Sequence, residues 1–196
     1  MAKVVLATRN QGKLIELRRI LHGLDVELCS AEDLGLPEFE ETGDSFVQNA
    51  LDKARAAAKA SGLPALADDS GLVVDQLGGE PGVRSARYAG PHGDDQANLN
   101  LVLERLRSHT GRSARFVCVA VLVAPDGREW IADGTVDGHI VDEPRGEWGF
   151  GYDPIFQPVG ERRTTAEMSP DEKDAISHRG KAFRALRPAI AELLEP

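Results

Sequence analysis

Apolar positions recur with two spacings along this chain. Short runs that are continuous or alternate with polar residues take turns with longer stretches repeating every third or fourth residue, the mark of an α/β protein. Val4 to Ala7 predicts a short buried strand, and Leu14, Leu17, Leu21 and Leu24 then fall at helical spacing behind the polar run Thr8-Arg9-Asn10-Gln11-Gly12-Lys13. Val26 to Cys29 predicts a second strand. A helix is expected from Ser45 to Ala60, with Phe46, Ala50, Ala54 and Ala57 on one stripe and Val47, Leu51 and Ala58 beside it. Asp94 to Leu106 predicts another, with Leu99, Val102, Leu103 and Leu106 inward. Ala114 to Val123 reads as a long strand, Pro125-Asp126-Gly127 as a tight turn into Trp130 to Ala132, and Thr135 to Val141 as a further strand. Ser169-Pro170-Asp171-Glu172 carries the residues of a capping box and starts a short helix holding Lys173. Ser177-His178-Arg179-Gly180-Lys181 opens the final helix, with Phe183, Leu186, Ile190 and Leu193 inward and Pro188 expected to kink it.

One stretch breaks the pattern. Ala65 to Asp75 has the apolar, β-branched flanks of a buried strand, yet Asp68, Asp69, Ser70 and Gly71 sit side by side in its middle. A buried ionised carboxylate is costly unless a cation or hydrogen-bond donors compensate it, so the two Asp residues call for a partner such as a divalent metal. Successive strand side chains point to opposite faces, so the pair is expected to share a site only where the strand bends, at Ser70-Gly71. A solvated turn is the plainer alternative.

Other segments supply matching chemistry. The strand, polar loop and helix opening at Thr8 to Lys13 aims backbone N–H groups at one point and adds a lysine, which suits a phosphate; Asn10 as a simple N-cap with Lys13 solvated is the competing reading. Asn49 and Lys53, four residues apart, share a helix face. Glu40 and Glu41, in the acidic loop ahead of that helix, can join Asp69 around a metal. Glu147 to Phe156 holds four of the ten aromatic residues of the chain, and glycines beside Phe150 leave room for a planar ligand to stack on its ring. A Gly-aromatic plug at a sheet end is the alternative there. His178 and Arg179 begin a helix, where cations oppose the dipole, so a ligand-facing role is expected of both. Gly78 to Gly90 is a glycine-rich excursion readable as a lid, a dimer contact or a surface loop.

Composition narrows the field. The 196 residues suit a single domain over 1–196, or two lobes sharing one sheet. A net charge of -9 argues against broad binding to nucleic acid or an anionic membrane. Cys29 and Cys118 lie in apolar contexts without metal spacing and read as reduced core residues, as in a cytoplasmic enzyme. The apolar run at the start is too short for a signal peptide or membrane span. His22, His92, His109 and His139 share no spacing and are read as surface residues.

Six blocks, in order, resemble the inosine triphosphate pyrophosphatase family, also called dITP/XTP pyrophosphatases. They are Ala7 to Lys13, Glu40 to Gly43, Asn49 with Lys53, Ala67 to Leu72, Gly149 to Pro154 and Ser177 to Gly180, and together they span essentially the whole chain. The resemblance implies an elongated mixed sheet flanked by helices, in two lobes with the nucleotide cleft between them. It further implies magnesium-dependent hydrolysis of non-standard purine nucleoside triphosphates (ITP, dITP, XTP) to monophosphate and pyrophosphate, by a homodimer. Asp69 becomes the proton acceptor and a magnesium contact, with Asp68 beside it and Glu40 or Glu41 completing the metal set. Thr8, Asn10, Lys13, Lys53 and Ser70 would hold the triphosphate, with Arg9, Gln11 and Gly12 in the same loop. Phe150, Gly151, Tyr152, Asp153, Lys173, His178 and Arg179 would form the base pocket. The alternatives are a septum-inhibitor type pyrophosphatase for modified pyrimidine nucleotides and a non-catalytic nucleotide sensor. The carboxylates and lysines argue against the sensor, because binding alone does not need a metal set.

Overall fold

The computed structural model describes residues 2–39, 41–91 and 93–194. Among these residues six strands form one sheet in the order β2-β1-β3-β4-β5-β6: β1 Ala2–Leu6, β2 Val26–Ser30, β3 Ala65–Val74, β4 Ser113–Val123, β5 Glu129–Ile140 and β6 Phe156–Pro158. β1 runs parallel to both β2 and β3, with Val5 opposite Cys29 and Ala65, while β5 and β6 are antiparallel. The sheet is mixed, and the α/β class expected from periodicity holds. Among the described residues five α-helices accompany it: α1 Gln11–Ile20, α2 Phe46–Ser61, α3 Asp95–Leu106, α4 Pro170–Ile176 and α5 His178–Leu194.

Local chemistry explains the helix ends. Asn10, Ser45, Asp94 and Ser169 each accept a backbone N–H from the third residue on, satisfying donors that the helix itself leaves unpaired. Gly62 closes α2 in the left-handed conformation at φ +68°, where a side chain would be strained.

Backbone contacts divide the chain into two compact units. The first comprises residues 1–69, 118–134 and 179–196, and the second 70–117 and 135–178. In the first unit the sheet is buried on both faces. Leu6, Leu66, Cys118, Ala120 and Leu122 pack with Leu14 and Leu17 of α1 and Phe183 and Leu186 of α5. Val5, Ala65, Ala67, Val121 and Val123 pack with Ala50, Ala54 and Ala57 of α2 on the opposite face. The second unit has its own core, in which Leu72, Val74, Leu99, Val102, Phe116, Ile140 and Phe156 meet.

Several local expectations change. β3 runs unbroken through Ser70-Gly71, because both of its flanks are paired strand and both Asp side chains find buried partners without a bend. Trp130 to Ala132 and Thr135 to Ile140 belong to the single strand β5, with Val141 just past its end, since Asp133 and Gly134 keep the alternation of faces rather than interrupting it. The Gly78 to Gly90 excursion is partly regular, with 3₁₀ turns at Asp75–Leu77 and Gly82–Arg87. Val47 is exposed rather than beside the buried stripe. Pro188 lies within α5. Cys29 and Cys118 are buried free thiols. His22 and His139 are exposed, His109 is half-buried, and His92 lies outside the described residues.

Candidate active site

In the first unit the site begins where β1 hands over to α1. Asn10 accepts the Lys13 backbone N–H at 3.0 Å, and Thr8 Oγ1 accepts the Asn10 N–H at 3.2 Å, so this loop is fixed by its own polar side chains. The N-cap reading of Asn10 is therefore correct as far as it goes. The Lys13 side chain is not solvated: its ammonium lies 3.1 Å from Asp68 Oδ2. Arg9 donates to the Leu36 carbonyl at 2.9 Å and so ties the loop to the segment after β2, while Gln11 is exposed and Gly12 half-buried in the first turn.

Asp68 and Asp69 are 1% and 4% exposed and face opposite ways from a straight strand. Asp68 shares the face of Leu66, toward α1 and α5, and its Oδ2 accepts from Arg179 Nε at 3.3 Å and Nη2 at 3.2 Å. Arg179 Nη1 also donates to Glu16 Oε2, so one buried guanidinium bridges two buried carboxylates. The Cys118 thiol lies 3.8 Å from the same Asp68 oxygen. Burial alone would raise the Asp68 pKa, but Lys13, Arg179 and Lys53 outweigh it and hold the group well below the usual carboxylate range. Burial also works against the Arg179 charge, and Asp68 and Glu16 more than restore it. Asp68 Oδ1 is buried without a hydrogen-bond partner among the described residues.

Asp69 turns toward α2. Its Oδ2 accepts from Asn49 Nδ2 at 2.9 Å, and Asn49 Oδ1 in turn accepts the Gly43 N–H at 2.8 Å. A Cβ on residue 43 would lie 2.8 Å from that Asn49 oxygen, so glycine lets the acidic loop close onto the amide. Lys53 donates to the Asp68 carbonyl at 2.7 Å and pairs with Glu41. Burial raises the Asp69 pKa, with Glu41 adding to the rise and Lys53, Lys13 and the Asn49 hydrogen bond opposing it. The shared helix face expected of Asn49 and Lys53 is what brings both to β3.

Magnesium fits this donor set. Among the described residues no three His, Cys, Asp or Glu side chains gather into a cage. Magnesium needs only one or two carboxylates when substrate phosphates and water complete its shell. Asp69 and Glu41 are hard oxygen donors, close enough for the Glu41 charge to raise the Asp69 pKa, and Lys53 pairs with Glu41. Glu40, the other acidic candidate, lies outside the described residues. Asp68, on the opposite face, is already answered by Lys13 and Arg179.

The second unit carries a separate polar cluster. Phe150 N–H donates to Asp153 Oδ2 at 2.8 Å, Lys173 on α4 pairs with the same oxygen, and Thr165 Oγ1 donates to Oδ1 at 2.8 Å. The Lys173 ammonium also lies 5.0 Å from the Phe150 ring centroid. Gly149 is required here: at φ +79° a Cβ would sit 2.1 Å from Asp153 Oδ2. Tyr152 is buried, and its hydroxyl donates to the Ser85 carbonyl at 2.7 Å. Burial raises the Tyr152 pKa, so this ring is a core residue with a satisfied hydroxyl. Gly151 N–H donates to Asp95 at 2.9 Å. His178 is buried and stacks on Phe116 with ring centroids 4.7 Å apart. Ser70, half-buried, belongs to this unit as well.

The partners of two expected base-pocket residues follow from this geometry. The Arg179 guanidinium lies in the Asp68 cluster, because two buried carboxylates there need a cation more than a helix start resists one. Asp153, placed by the resemblance in the base pocket, has three of its roughly four lone-pair positions already accepting from Phe150, Lys173 and Thr165. Glu16 and Thr165 went unremarked in the sequence. For Glu16 a signal existed, since it stands three residues from Lys13 and beside Leu17 on the inward side of α1.

The first unit thus holds a buried carboxylate set with lysines suited to phosphate, and the second, taken by itself, holds a glycine-bounded aromatic loop. The Ham1 family model matches residues 4–189, and the chain belongs to that family. It is 54% identical to the dITP/XTP pyrophosphatase of Streptomyces avermitilis over 99% of this chain and all of that one. Among solved structures it is similar to a HAM1 protein from Coxiella burnetii, with 45% identity, a TM-score of 0.88 and coverage of 98% of this chain and 100% of the other. The Staphylococcus aureus Ham1 protein is similar too, at 42% identity and a TM-score of 0.86, over 97% of this chain and 99% of that one.

Proposed function

We propose that this protein hydrolyses non-standard purine nucleoside triphosphates (ITP, dITP and XTP) to the monophosphate and pyrophosphate with magnesium, removing deaminated purines from the nucleotide pool. The observation that carries this reading is the opposed setting of two adjacent buried carboxylates: Asp68 meets the Lys13 and Arg179 cations on one face, while Asp69 accepts from the neutral Asn49 amide on the other. Neighbouring acids driven apart in this way mark a division of roles. Asp69 is the general base, and Asp68 is the fixed charge that holds Lys13 in place.

Lys13, Lys53 and the N–H groups at the start of α1 bind the triphosphate and meet charge developing on the departing pyrophosphate. Asp69 takes a proton from a water molecule as its oxygen bonds to the α-phosphorus, and the bond from that phosphorus to the bridging oxygen breaks. Asn49 orients the Asp69 carboxylate for this transfer. Magnesium, held by Asp69 and Glu41, would neutralise phosphate charge. Lys173 and His178 supply donors suited to the 6-oxo group that distinguishes hypoxanthine and xanthine from adenine, and Phe150 supplies a stacking face.

The relatives' names support this substrate class. A homodimer and a cytoplasmic location belong to the same proposal through the family resemblance. Among the described residues no helix is long and apolar enough to cross a membrane. Pyrophosphate release from ITP, dITP, XTP, GTP and ATP, with and without magnesium, tests the reading. The deaminated substrates are expected to lead ATP by orders of magnitude, and equal turnover of ITP and ATP would refute it.

A further inference from the structure

Asp153 is saturated by donors from the protein itself, which raises the question of what its anchoring achieves. The loop from Arg145 to Asp153 is laced along its length to the 3₁₀ turn Thr165–Glu167. Thr164 Oγ1 donates to the Arg145 carbonyl at 2.8 Å, and the N–H groups of Glu147 and Trp148 both donate to the Ala166 carbonyl at 3.0 Å. Gly146, at φ +89°, packs so closely that a Cβ would lie 2.2 Å from the Ala166 carbonyl carbon. The last stitch is Thr165, whose hydroxyl lies 2.8 Å from Asp153 Oδ1 and 3.2 Å from the Asp153 carbonyl. Thr165, Asp153 and Lys173 are 3%, 2% and 4% exposed, so water does not readily replace a lost partner.

The other oxygen of that same carboxylate holds both the Phe150 backbone and the Lys173 ammonium. A rotation of the Asp153 carboxylate therefore displaces the stacking ring and the cation together. We propose that Thr165 is a positioning residue for base selection: acting through Asp153, its hydroxyl fixes the Phe150 loop and the Lys173 ammonium in the register that accepts a 6-oxopurine. The proposal rests on the functional reading above and assigns Thr165 no contact with substrate.

Thr165→Val removes the donor and keeps the branched shape, whereas Thr165→Ser keeps the donor and removes a methyl group. Steady-state kinetics of both variants and the wild type with dITP, XTP and dATP, with thermal unfolding in parallel, provide the test. Losing one hydrogen bond to a charged group corresponds to about a tenfold change. In Thr165→Val the KM for dITP and XTP is expected to rise by that factor while kcat stays within about twofold and KM for dATP is unchanged. Thr165→Ser is expected to restore the wild-type KM. The inference is overturned if Thr165→Val keeps the wild-type KM for dITP, if kcat falls alike on all three substrates along with the unfolding temperature, or if Thr165→Ser fails as badly as Thr165→Val. A wild type that treats dITP and dATP alike overturns the functional reading and this inference together, whereas a discriminating wild type with an indifferent valine variant overturns the inference alone.

Discussion

Two buried carboxylates, Asp68 in the first unit and Asp153 in the second, solve the same electrostatic problem in different ways. Asp68 is answered by side chains from distant segments, Lys13 on α1 and Arg179 on α5, with one oxygen unpartnered among the described residues. Asp153 is answered mostly from nearby, by the Phe150 N–H three residues back, Thr165 twelve residues on and Lys173 twenty residues on. Its oxygens are satisfied and its surroundings stitched to backbone. The first arrangement gathers long charged side chains around phosphate-suited groups and suits chemistry on a charged substrate. The second fixes a shape and suits discrimination.

The strongest way to break this comparison is at the neighbour of Asp68. Asp69→Asn keeps size and the Asn49 contact but cannot accept a proton as a carboxylate does, so kcat/KM for dITP should fall by about 10⁴-fold with far-UV circular dichroism unchanged. A variant within tenfold of the wild type would remove Asp69 as the base. Next comes Arg179→Ala, which strands two buried carboxylates. A loss of about 3–5 kcal/mol in urea unfolding is expected. An Arg179→Ala protein of wild-type stability that lost only base preference would return Arg179 to the base pocket.

The two acids of β3 also predict opposite responses to pH. The Asp68 pKa is depressed in the folded protein, so its stabilisation is complete above the unfolded value of about 3.9 and drains away as pH falls toward the folded value. Stability should therefore drop on acidification below about pH 4, and Asp68→Asn should flatten that drop. The Asp69 pKa is raised, so its contribution has the opposite sign, present below the unfolded value and lost as pH rises through the folded one. Its activity requires the deprotonated form, so kcat/KM should fall on acidification and Asp69→Asn should lose that acid limb. An unchanged acid limb in Asp69→Asn would uncouple Asp69 from that titration. The smallest effect is a control: Lys3 pairs with Glu27 at 3.3 Å on the surface, and Lys3→Ala should leave dITP turnover within experimental error.

The contrast between the clusters also explains what was legible in the sequence. Among the described residues, periodicity and caps located all five α-helices and five of the six strands, because those signals lie within a few residues of the element they define. β6 is a three-residue strand ending in proline and carries no periodicity to read. The bend expected at Ser70-Gly71 followed from requiring both Asp side chains to share one site, and a sheet buried on both faces removes that requirement. Asp153, Phe150 and the capping box of α4 stood out because their partners are close in sequence. The Glu16–Arg179 bridge spans 163 positions and leaves no local trace beyond an acidic residue on an inward helix face. Thr165 gave no signal, since one hydroxyl in a polar segment looks like any other.

The distance between Asp68 and its guanidinium has a consequence for the protein's birth. Arg179 follows Asp68 by 111 residues, and at typical rates of about 5–20 residues per second the ribosome delivers it roughly 5–20 seconds later. During that interval β1, α1 and β3 are already made, but closing α1 over β3 would desolvate Asp68 and Glu16 without their shared cation. Until then α1 can offer Asp68 the Lys13 ammonium, and arrival of the last helix adds the guanidinium that bridges Asp68 to Glu16.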